Sequence, residues 1–390
     1  QLFLEHVAQT SDSPLLLEIE RAEGVYLFGS DGKRYIDLIS GVSVSNVGHC
    51  HPRVIDAVSI QTSKYMHLMV YGEYIQYPQV RFAQRLTSLL PLSLNNIYFV
   101  NSGSEAVEGA LKLAKRYTNR SEIISFDNAY HGSTHGALSI MGNQDQTRAF
   151  RPLLPDVKKI RFNSFDDLDQ ITCKAACVIV EPVQGEGGII SPLNGYLNEL
   201  RERCNQTNTL LIFDEIQTGL GRTGKLFAFQ KYNVTPDILL LAKALGGGMP
   251  LGAFISSKEI MSSLSFNPAL GHITTFGGHP VSCAAALASL DIMIDEKLVE
   301  QVDEKAKIFI DGLNNHPSII SIRADGLFMA VEIGSFEKIL KLMRVALNNG
   351  IVLDWFLFCN TAFRIAPPLI ITKKECHEAV DLLIKSLDEI

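Results

Sequence analysis

The chain has 390 residues, of which 46% are hydrophobic and 20% charged, and its formal net charge is −7. This composition is typical of a soluble globular protein, and the length leaves room for two or three domains. Acidic and basic residues are interspersed without a basic block, which excludes nucleic acid as an expected partner. No apolar run is long enough to cross a bilayer, and the first residues lack the basic start and apolar core of a signal peptide. We therefore expect a cytoplasmic protein with no membrane partner.

The seven cysteines are irregularly spaced. Cys173 and Cys177 do not form a CxxC pair, and no second pair lies near them to complete a zinc site. We expect reduced thiols, a reducing compartment and no bound metal.

The first forty residues contain a turn signal at Ser30-Asp31-Gly32, which indicates a hairpin-like N-terminal segment packed on a smaller domain. Its middle then alternates short apolar runs with amphipathic stretches. The predicted strands are Ile97–Val100, Ile123–Phe126, Cys177–Val180, Leu210–Phe213, Ile238–Leu241 and Ala253–Ile255. Continuous apolar runs of this kind indicate a parallel sheet buried on both faces. A helix with Val107, Ala110, Leu111 and Ala114 on one face follows the first of them, and the alternation favours an α/β fold.

The last hundred residues have a different pattern. Leu327–Ile333 is predicted to be a strand and Phe336–Leu347 an amphipathic helix. Thr372 and Glu375 form a capping box that opens the final helix. These elements predict a smaller α+β domain after the larger α/β one.

Small polar residues follow the strand Ile97–Val100. Ser102-Gly103-Ser104 precedes a helix that is predicted to begin at about Glu105. Free N–H groups and hydroxyls at a helix N-terminus bind phosphate well. The segment is neither a Walker A loop nor a GxGxxG motif. The alternative is that Ser104 is only a helix N-cap.

Acidic residues follow another apolar strand. Asp214 and Glu215 come directly after Leu210–Phe213 and lead into a glycine-rich loop. Ligands of open α/β sheets bind beyond the carboxyl ends of the strands, so an acid at this position suits a functional site. The alternative is a helix-capping Asp or a surface turn.

A lysine follows the next apolar strand. Lys243 comes after Ile238–Leu241 and precedes three consecutive glycines. A buried lysine must be paired or neutral, and a Schiff base with an aldehyde removes its charge. Glycines nearby allow close approach of the backbone to a ligand. The alternative is a lysine whose charged end reaches solvent.

A phosphate site, an acid and a lysine in one α/β domain are the parts that pyridoxal phosphate requires. Their joint pattern resembles the class III aminotransferases, the ornithine or ω-amino group of pyridoxal-phosphate fold type I. The resemblance covers nearly the whole chain. It is carried by the segments SNVGHCHP, NSGSEA, YHGST, EPVQGEGG, FDEIQTGLGRTG, LAKALGGGMPLGA, TTFGGHP and FRIAPPL.

The resemblance implies how the cofactor is held. Lys243 would bind its aldehyde and then shuttle the substrate proton. Asp214 would pair with the pyridine nitrogen, which keeps that nitrogen protonated and the ring electron-accepting. Gln217 would lie near the ring hydroxyl, and Tyr130 or His131 would cover one face of the ring.

The remaining cofactor contacts implied by the resemblance come from three other segments. Ser102, Gly103 and Ser104 would hold the phosphate, and Glu181 would belong to the cofactor site. Thr275 would reach the phosphate of a partner subunit, so the active site would require a homodimer.

The substrate residues are also implied by the resemblance. Arg364 would bind the α-carboxylate of an amino acid through its bidentate guanidinium. Glu186 would pair with Arg364 when an ω-amino donor occupies the site. Ser133 stands where acetylornithine and ornithine enzymes of the family carry Arg, so strict specificity for either donor does not follow. His135 is a candidate to compensate.

The sequence thus predicts an aspartate-aminotransferase-like α/β domain at 45–280 with a mostly parallel sheet. Residues 1–44 and 281–390 are predicted to form the small domain. The expected reaction is ping-pong transfer of an amino group from an ω-amino or acetylornithine-like donor to a keto acid, 2-oxoglutarate being the first candidate. Two alternatives stay open: an intramolecular aminomutase of the glutamate-semialdehyde type, and a catalytically idle binding protein.

Overall fold

A computed structural model describes residues 2–70 and 72–390. Within them the strands are β1 (Ile19–Glu23), β2 (Tyr26–Gly29), β3 (Arg34–Asp37), β4 (Asn96–Val100), β5 (Glu122–Phe126), β6 (Val157–Ile160), β7 (Ala175–Val180), β8 (Leu210–Asp214), β9 (Ile238–Leu241), β10 (Gly252–Ser256), β11 (Ser321–Ala324), β12 (Met329–Glu332), β13 (Ile351–Val352), β14 (Asp354–Phe356) and β15 (Cys359–Ile365). The α-helices are α1 (Leu2–His6), α2 (Ser40–Ser43), α3 (Pro52–Lys64), α4 (Tyr77–Thr87), α5 (Gly103–Thr118), α6 (His135–Ser139), α7 (Gln144–Thr147), α8 (Tyr196–Thr207), α9 (Ala228–Tyr232), α10 (Lys258–Ser262), α11 (Pro280–Asp295), α12 (Val302–Leu313), α13 (Phe336–Asn348) and α14 (Lys373–Asp388).

The central sheet has seven strands in the order β4-β10-β9-β8-β7-β5-β6. β10 runs antiparallel to β4 and β9, and the pairs from β9 to β6 are parallel. Every residue of β7, β8 and β9 is buried, which explains their continuous apolar sequences. All six predicted strands are confirmed. The sequence reasoning missed β6, because this edge strand contains the half-buried Lys158 and Lys159.

Two smaller sheets contain the rest of the strands. Their orders are β1-β2-β3-β13 and β11-β12-β15-β14. The hairpin predicted around Ser30-Asp31-Gly32 is confirmed, since β2 and β3 pair antiparallel across it. β3 also pairs in parallel with β13, so the N-terminal segment joins the C-terminal part of the chain.

The helix after β4 begins earlier than the sequence suggested. It starts at Gly103 rather than at about Glu105, and the hydroxyl of Ser102 accepts the N–H of Glu105 at 3.2 Å. Ser102 is therefore the N-cap, and Ser104 lies in the first turn. The capping box of α14 is confirmed, with the Glu375 carboxylate accepting the N–H of Thr372 at 2.7 Å.

α11 lies against α3 and α4, while α12 and α13 pack on α14. One large apolar core continues from the central sheet into this C-terminal part. The boundaries drawn at residues 44 and 280 stay predictions. Within the described residues no helix is long and apolar enough to cross a membrane, and no cluster of potential metal ligands occurs.

Candidate active site

A cleft of about 190 Å³ opens at one edge of the central sheet. The carboxyl ends of β4, β5, β7, β8 and β9 meet there, so the segments that follow these strands converge. The cleft is lined by Ser102, Gly103, Ser104, Tyr130, His131, Gly132, Glu181, Asp214, Ile216, Gln217 and Lys243. Nine of the twelve residues proposed from the sequence are in this set. Ile216 and Gly132 were missed, because neither side chain carries chemistry that a sequence pattern reveals.

The N-terminus of α5 forms one wall of the cleft. A Cβ atom at Gly103 would lie 2.9 Å from Cδ1 of Ile216, and one at Gly132 would lie 2.1 Å from the hydroxyl oxygen of Ser104. Gly132, with φ 126°, therefore requires glycine, whereas a side chain at position 103 would displace the end of Ile216. The N–H of Ser133 donates to the Ser104 hydroxyl at 3.2 Å, which joins the two loops. Helix-end N–H groups beside small side chains fit a phosphate group.

Asp214 lies at the end of β8 and is buried. One carboxylate oxygen accepts the N–H of Ile216 at 3.0 Å, and the other lies 2.7 Å from Nδ1 of His131. Nε2 of His131 is buried without a hydrogen-bond partner in the described part of the chain. Asp214 is therefore an anchored anion inside the cleft, suited to a protonated ring nitrogen.

Lys243 follows β9 with a left-handed backbone, φ 50°. Burial lowers the pKa of its amine to about 8, assisted by the positive charge of Arg364 and opposed by the charges of Glu186, Asp214 and Glu181. A lower pKa makes more of the neutral, nucleophilic amine available near neutral pH. This is the property required of a lysine that reacts with an aldehyde.

Glu181 follows β7 and connects two loops of the cleft. Its carboxylate accepts the N–H of Tyr130 at 2.9 Å and that of Gly185 at 3.0 Å. Burial raises its pKa to about 7, against the lowering effect of nearby His131. Glu181 thus orders the backbone that carries Tyr130.

A buried ion pair lies next to the cleft. Oε1 of Glu186 is 2.8 Å from Nη2 of Arg364 and accepts Nε2 of Gln217 at 3.1 Å, while Oε2 accepts the N–H of Leu357 at 3.1 Å. Burial raises the pKa of Glu186, but Arg364 and these donors outweigh it and lower the pKa below its usual value. The guanidinium of Arg364 lies over the ring of Phe356, 4.6 Å from its centroid. Glu186 and Arg364 are therefore in contact in the unliganded protein.

Arg364 keeps unused hydrogen-bonding capacity. Its Nε and Nη1 are buried without partners in the part of the chain that the structure describes. Both bidentate edges of a guanidinium include Nη2, so a carboxylate can engage Arg364 through two oxygens once Glu186 leaves Nη2, with Nε or Nη1 as the second donor. The contact with Leu357 was not foreseen, because a backbone N–H gives no sequence signal.

Three further residues named from the sequence, Thr275, Ser133 and His135, are not among those that line the cleft. Thr275 is exposed and does not line the cleft of its own chain. The hydroxyl of Ser133 is 3.3 Å from that of Tyr130. Nε2 of His135 is 2.8 Å from the carbonyl oxygen of Pro152, so this ring is engaged away from Ser133.

A lysine, a buried carboxylate and a glycine-lined helix N-terminus around one cleft of this sheet define a pyridoxal-phosphate enzyme of fold type I. The orphaned imidazole nitrogen of His131 and the close-packed glycines show that the residues present fit this cofactor. The family model "Aminotransferase class-III" matches residues 7–387. The chain belongs to this family and is a pyridoxal-phosphate-dependent aminotransferase.

Relatives and solved structures agree with this assignment. The chain is 40% identical over 382 residues to an acetylornithine aminotransferase of Clostridium acetobutylicum, covering 94% of this chain and 95% of the relative. It is 40% identical over 380 residues to an acetylornithine aminotransferase of Methanocaldococcus jannaschii, covering 94% and 92%. The ornithine aminotransferase of Toxoplasma gondii superposes with a TM-score of 0.92 at 32% identity, covering 100% of this chain and 93% of that one. An acetylornithine aminotransferase of Elizabethkingia anophelis gives 0.86 at 31% identity, covering 100% and 98%.

Proposed function

We propose that this aminotransferase moves the ω-amino group of an acetylornithine-like donor to 2-oxoglutarate in two half-reactions. The observation that carries the proposal is the buried pair of Glu186 and Arg364 beside the cleft that contains Lys243. Glu186 can neutralise Arg364 while one substrate is bound and can release it to bind the carboxylate of another. The names of the relatives agree with a donor of this class.

Pyridoxal phosphate, when bound, supplies an electron-accepting ring that stabilises negative charge on the amino-bearing carbon. In our proposal Lys243 would hold the cofactor, and its Nζ, once the donor's amino group has replaced it there, would move the proton from that carbon to the former aldehyde carbon of the cofactor. The carboxylate of Asp214 keeps a proton on the ring nitrogen, and His131 fixes that carboxylate in place. Ser102, Gly103 and Ser104 hold the phosphate.

The remaining cofactor contacts orient the ring within the cleft. Tyr130, whose backbone N–H donates to Glu181, would cover one face of the ring. Gln217 would contact the ring hydroxyl with its side-chain oxygen, which is buried without a partner in the described residues, while its nitrogen donates to Glu186. The same amide therefore connects the cofactor with the substrate pair.

The pair of Glu186 and Arg364 lets one cleft accept two different substrates. With an ω-amino donor Glu186 neutralises Arg364, so no carboxylate is required beside the reacting carbon. With a keto acid the substrate carboxylate takes the guanidinium, and Glu186 releases it. Such a carboxylate would use the Nη2 that Glu186 releases, together with Nε or Nη1, which lack a partner in the described residues.

We also propose a cytoplasmic homodimer with active sites at the subunit interface. Large apolar side chains are exposed in the segments on either side of Tyr77 and Phe276; these include Met66, Ile75, Tyr77, Ile273 and Phe276, with exposed fractions of 63%, 93%, 65%, 50% and 53%. A second cleft of about 290 Å³ lies among these segments, lined by Val70, Gln79, Tyr98 and Thr274 among others. Burial of this surface by a second copy would bring Thr275 towards the partner's phosphate site.

Subunit mixing tests the shared site. Thr275→Ala and Lys243→Ala subunits would each be inactive or weak alone. If Thr275 serves the partner's site, a mixed dimer contains one site with both defects and one intact site, so mixing restores activity. If Thr275 serves its own site, each site keeps one defect and mixing restores none.

An absorption titration tests the reaction itself. The purified enzyme is mixed with glutamate, acetylornithine, ornithine, 4-aminobutyrate or lysine, one at a time. We expect the visible cofactor band to disappear with one ω-amino donor and to return on addition of 2-oxoglutarate. Turnover of a substrate without any keto acid would instead favour the intramolecular aminomutase, and a band that no donor changes would contradict the proposal.

A further inference from the structure

We propose that Arg222 is a positioning residue that sets the place of Arg364 beside the cleft. The inference rests on the proposed role of Arg364 as the group that binds the substrate carboxylate. Arg222 itself does not line the cleft. It acts by holding the end of the strand that carries Arg364 against the start of the neighbouring strand.

Arg222 is fully buried and has no carboxylate within 4.0 Å among the described residues. Its Nη1 donates to the carbonyl oxygens of Leu327 at 3.0 Å and Pro367 at 2.6 Å. Its Nη2 donates to the side-chain oxygen of Asn46. Burying a guanidinium without a counter-ion is costly, and an apolar side chain would fill the same space at lower cost. A geometric role for its fixed fork of donors explains why a cation stands here.

Two of these acceptors lie next to the strand that carries Arg364, β15, and its partner strand β12. Leu327 precedes β12, and Pro367 follows β15. In the pairing of these strands Arg364 lies opposite Ala330. One guanidinium therefore holds the start of β12 next to the end of β15. The position of Arg364 along and across the sheet depends on these contacts.

The backbone of Arg222 strengthens this connection. Its carbonyl oxygen accepts the N–H of Leu327 at 3.1 Å. Asn46, the third acceptor, donates its amide to the carbonyl oxygen of Leu220 at 2.7 Å and accepts the N–H of Leu369 at 2.7 Å through its own carbonyl. The loop around Arg222 and the segment after Arg364 are thus bound to the same residues.

The loop around Arg222 also continues from the cleft. It begins at Asp214, passes Gln217, whose amide binds Glu186, and ends in the turn at Arg222. One continuous segment therefore joins the acid of the cofactor site to Arg222, whose guanidinium binds the backbone on both sides of Arg364's strand pairing. Displacement of Arg364 relative to the cleft is the expected result of losing Arg222.

The test compares two amino acceptors that differ in the α-carboxylate, 2-oxoglutarate and succinic semialdehyde. For Arg222→Met we expect the ratio of kcat/KM for 2-oxoglutarate over succinic semialdehyde to fall at least about tenfold, since a small misplacement can cost ~100-fold. A lysine at this position reaches fewer acceptors, so Arg222→Lys should give an intermediate ratio. If Arg222→Met does not fold, a fall of about threefold or more in Arg222→Lys supports the inference, and the wild-type ratio overturns it.

Arg201→Met is the matched control. Arg201 is less deeply buried than Arg222, and its Nη1 lies 2.8 Å from Asp237 at the opposite edge of the sheet. This variant should lose stability but keep the wild-type ratio. A similar fall of the ratio in it would assign the effect of Arg222 to general destabilisation and overturn the inference.

Arg364→Gln separates this inference from the proposed function. If its ratio falls and that of Arg222→Met does not, the positioning role is wrong while the proposed function stands. If the Arg364→Gln ratio does not fall, the carboxylate role of Arg364 is wrong, and the inference about Arg222 fails with it.

Discussion

Replacing Glu186 with alanine should weaken the fold and strengthen keto-acid binding at the same time. In the unliganded protein the carboxylate accepts hydrogen bonds from Arg364, Gln217 and Leu357. Its removal leaves Arg364 without a hydrogen-bond partner at any guanidinium nitrogen in the described residues, because Nε and Nη1 already lack one. The same change removes the group with which a substrate carboxylate competes.

Breaking a buried ion pair by removing one partner costs about 3–5 kcal/mol. Asp354 lies opposite Arg364 in the pairing of β14 with β15, and its negative charge offsets part of this cost. We therefore expect Glu186→Ala to lower the free energy of unfolding by about 3 kcal/mol. A saturating keto acid should return most of that loss, because ligand at 100 times its Kd stabilises by about 2.7 kcal/mol.

The binding side is measured in the second half-reaction. Without Glu186 the α-carboxylate of 2-oxoglutarate no longer has to displace an internal partner. We expect its Kd to fall about tenfold, equivalent to about 1.4 kcal/mol. Glu186→Gln keeps an oxygen that can accept from Arg364 but removes the charge, so it should lie between the wild type and Glu186→Ala on both measurements.

The Kd is measured by stopped-flow absorption when enzyme whose cofactor already carries the donor's amino group is mixed with 2-oxoglutarate. Urea unfolding gives the free energy of unfolding. A folded Glu186→Ala protein whose Kd for 2-oxoglutarate is unchanged or higher would refute the reasoning. So would a stability equal to that of the wild type without ligand.

Three further predictions follow from the cleft. Lys243→Ala should lose the visible cofactor band, and its turnover should fall at least about a thousandfold. In the wild-type apoprotein the rate of cofactor uptake should rise with pH and level off above the Lys243 pKa of about 8. Levelling near pH 10 would show that the pKa of the amine is not shifted. Burial raises the pKa of Glu215 from 4.5 to about 8, so its contribution is complete below pH 4.5 and is lost as the pH rises through 8. Urea unfolding should show the stability of wild type relative to Glu215→Gln falling across this range, and a flat difference would refute the shift. Gly132→Ala should weaken cofactor binding at least about tenfold, because its Cβ would lie 2.1 Å from the Ser104 hydroxyl. Gly195→Ala, with a similarly positive φ of 82° but no atom within 4 Å of its Cβ, should leave cofactor affinity unchanged; equal loss in both variants would contradict the packing argument.

Much of this protein could be predicted from local patterns. Strands buried on both faces must be continuously apolar, and Ile238–Leu241 was predicted with the bounds that the structure shows. Asp214 and Lys243 were conspicuous because a charged residue directly after such a strand needs a partner or a ligand. The capping box at Thr372 is a contact between residues three apart, so the sequence contains it entirely.

Tertiary structure decided what depends on distant residues. β6 forms because β5 offers it an edge, although Lys158 and Lys159 weaken its pattern. The three hydrogen bonds on Glu186 come from residues far apart in the chain, one of them from the backbone of Leu357. Arg222 is an ordinary loop arginine by sequence, and only the meeting of β12 and β15 gives it acceptors. By itself the sequence determined the buried strands, the capping box of the last helix and the chemical types at the cleft, because these depend on neighbours along the chain. Which charges meet and which groups stay unpaired was decided by the packing of separate segments.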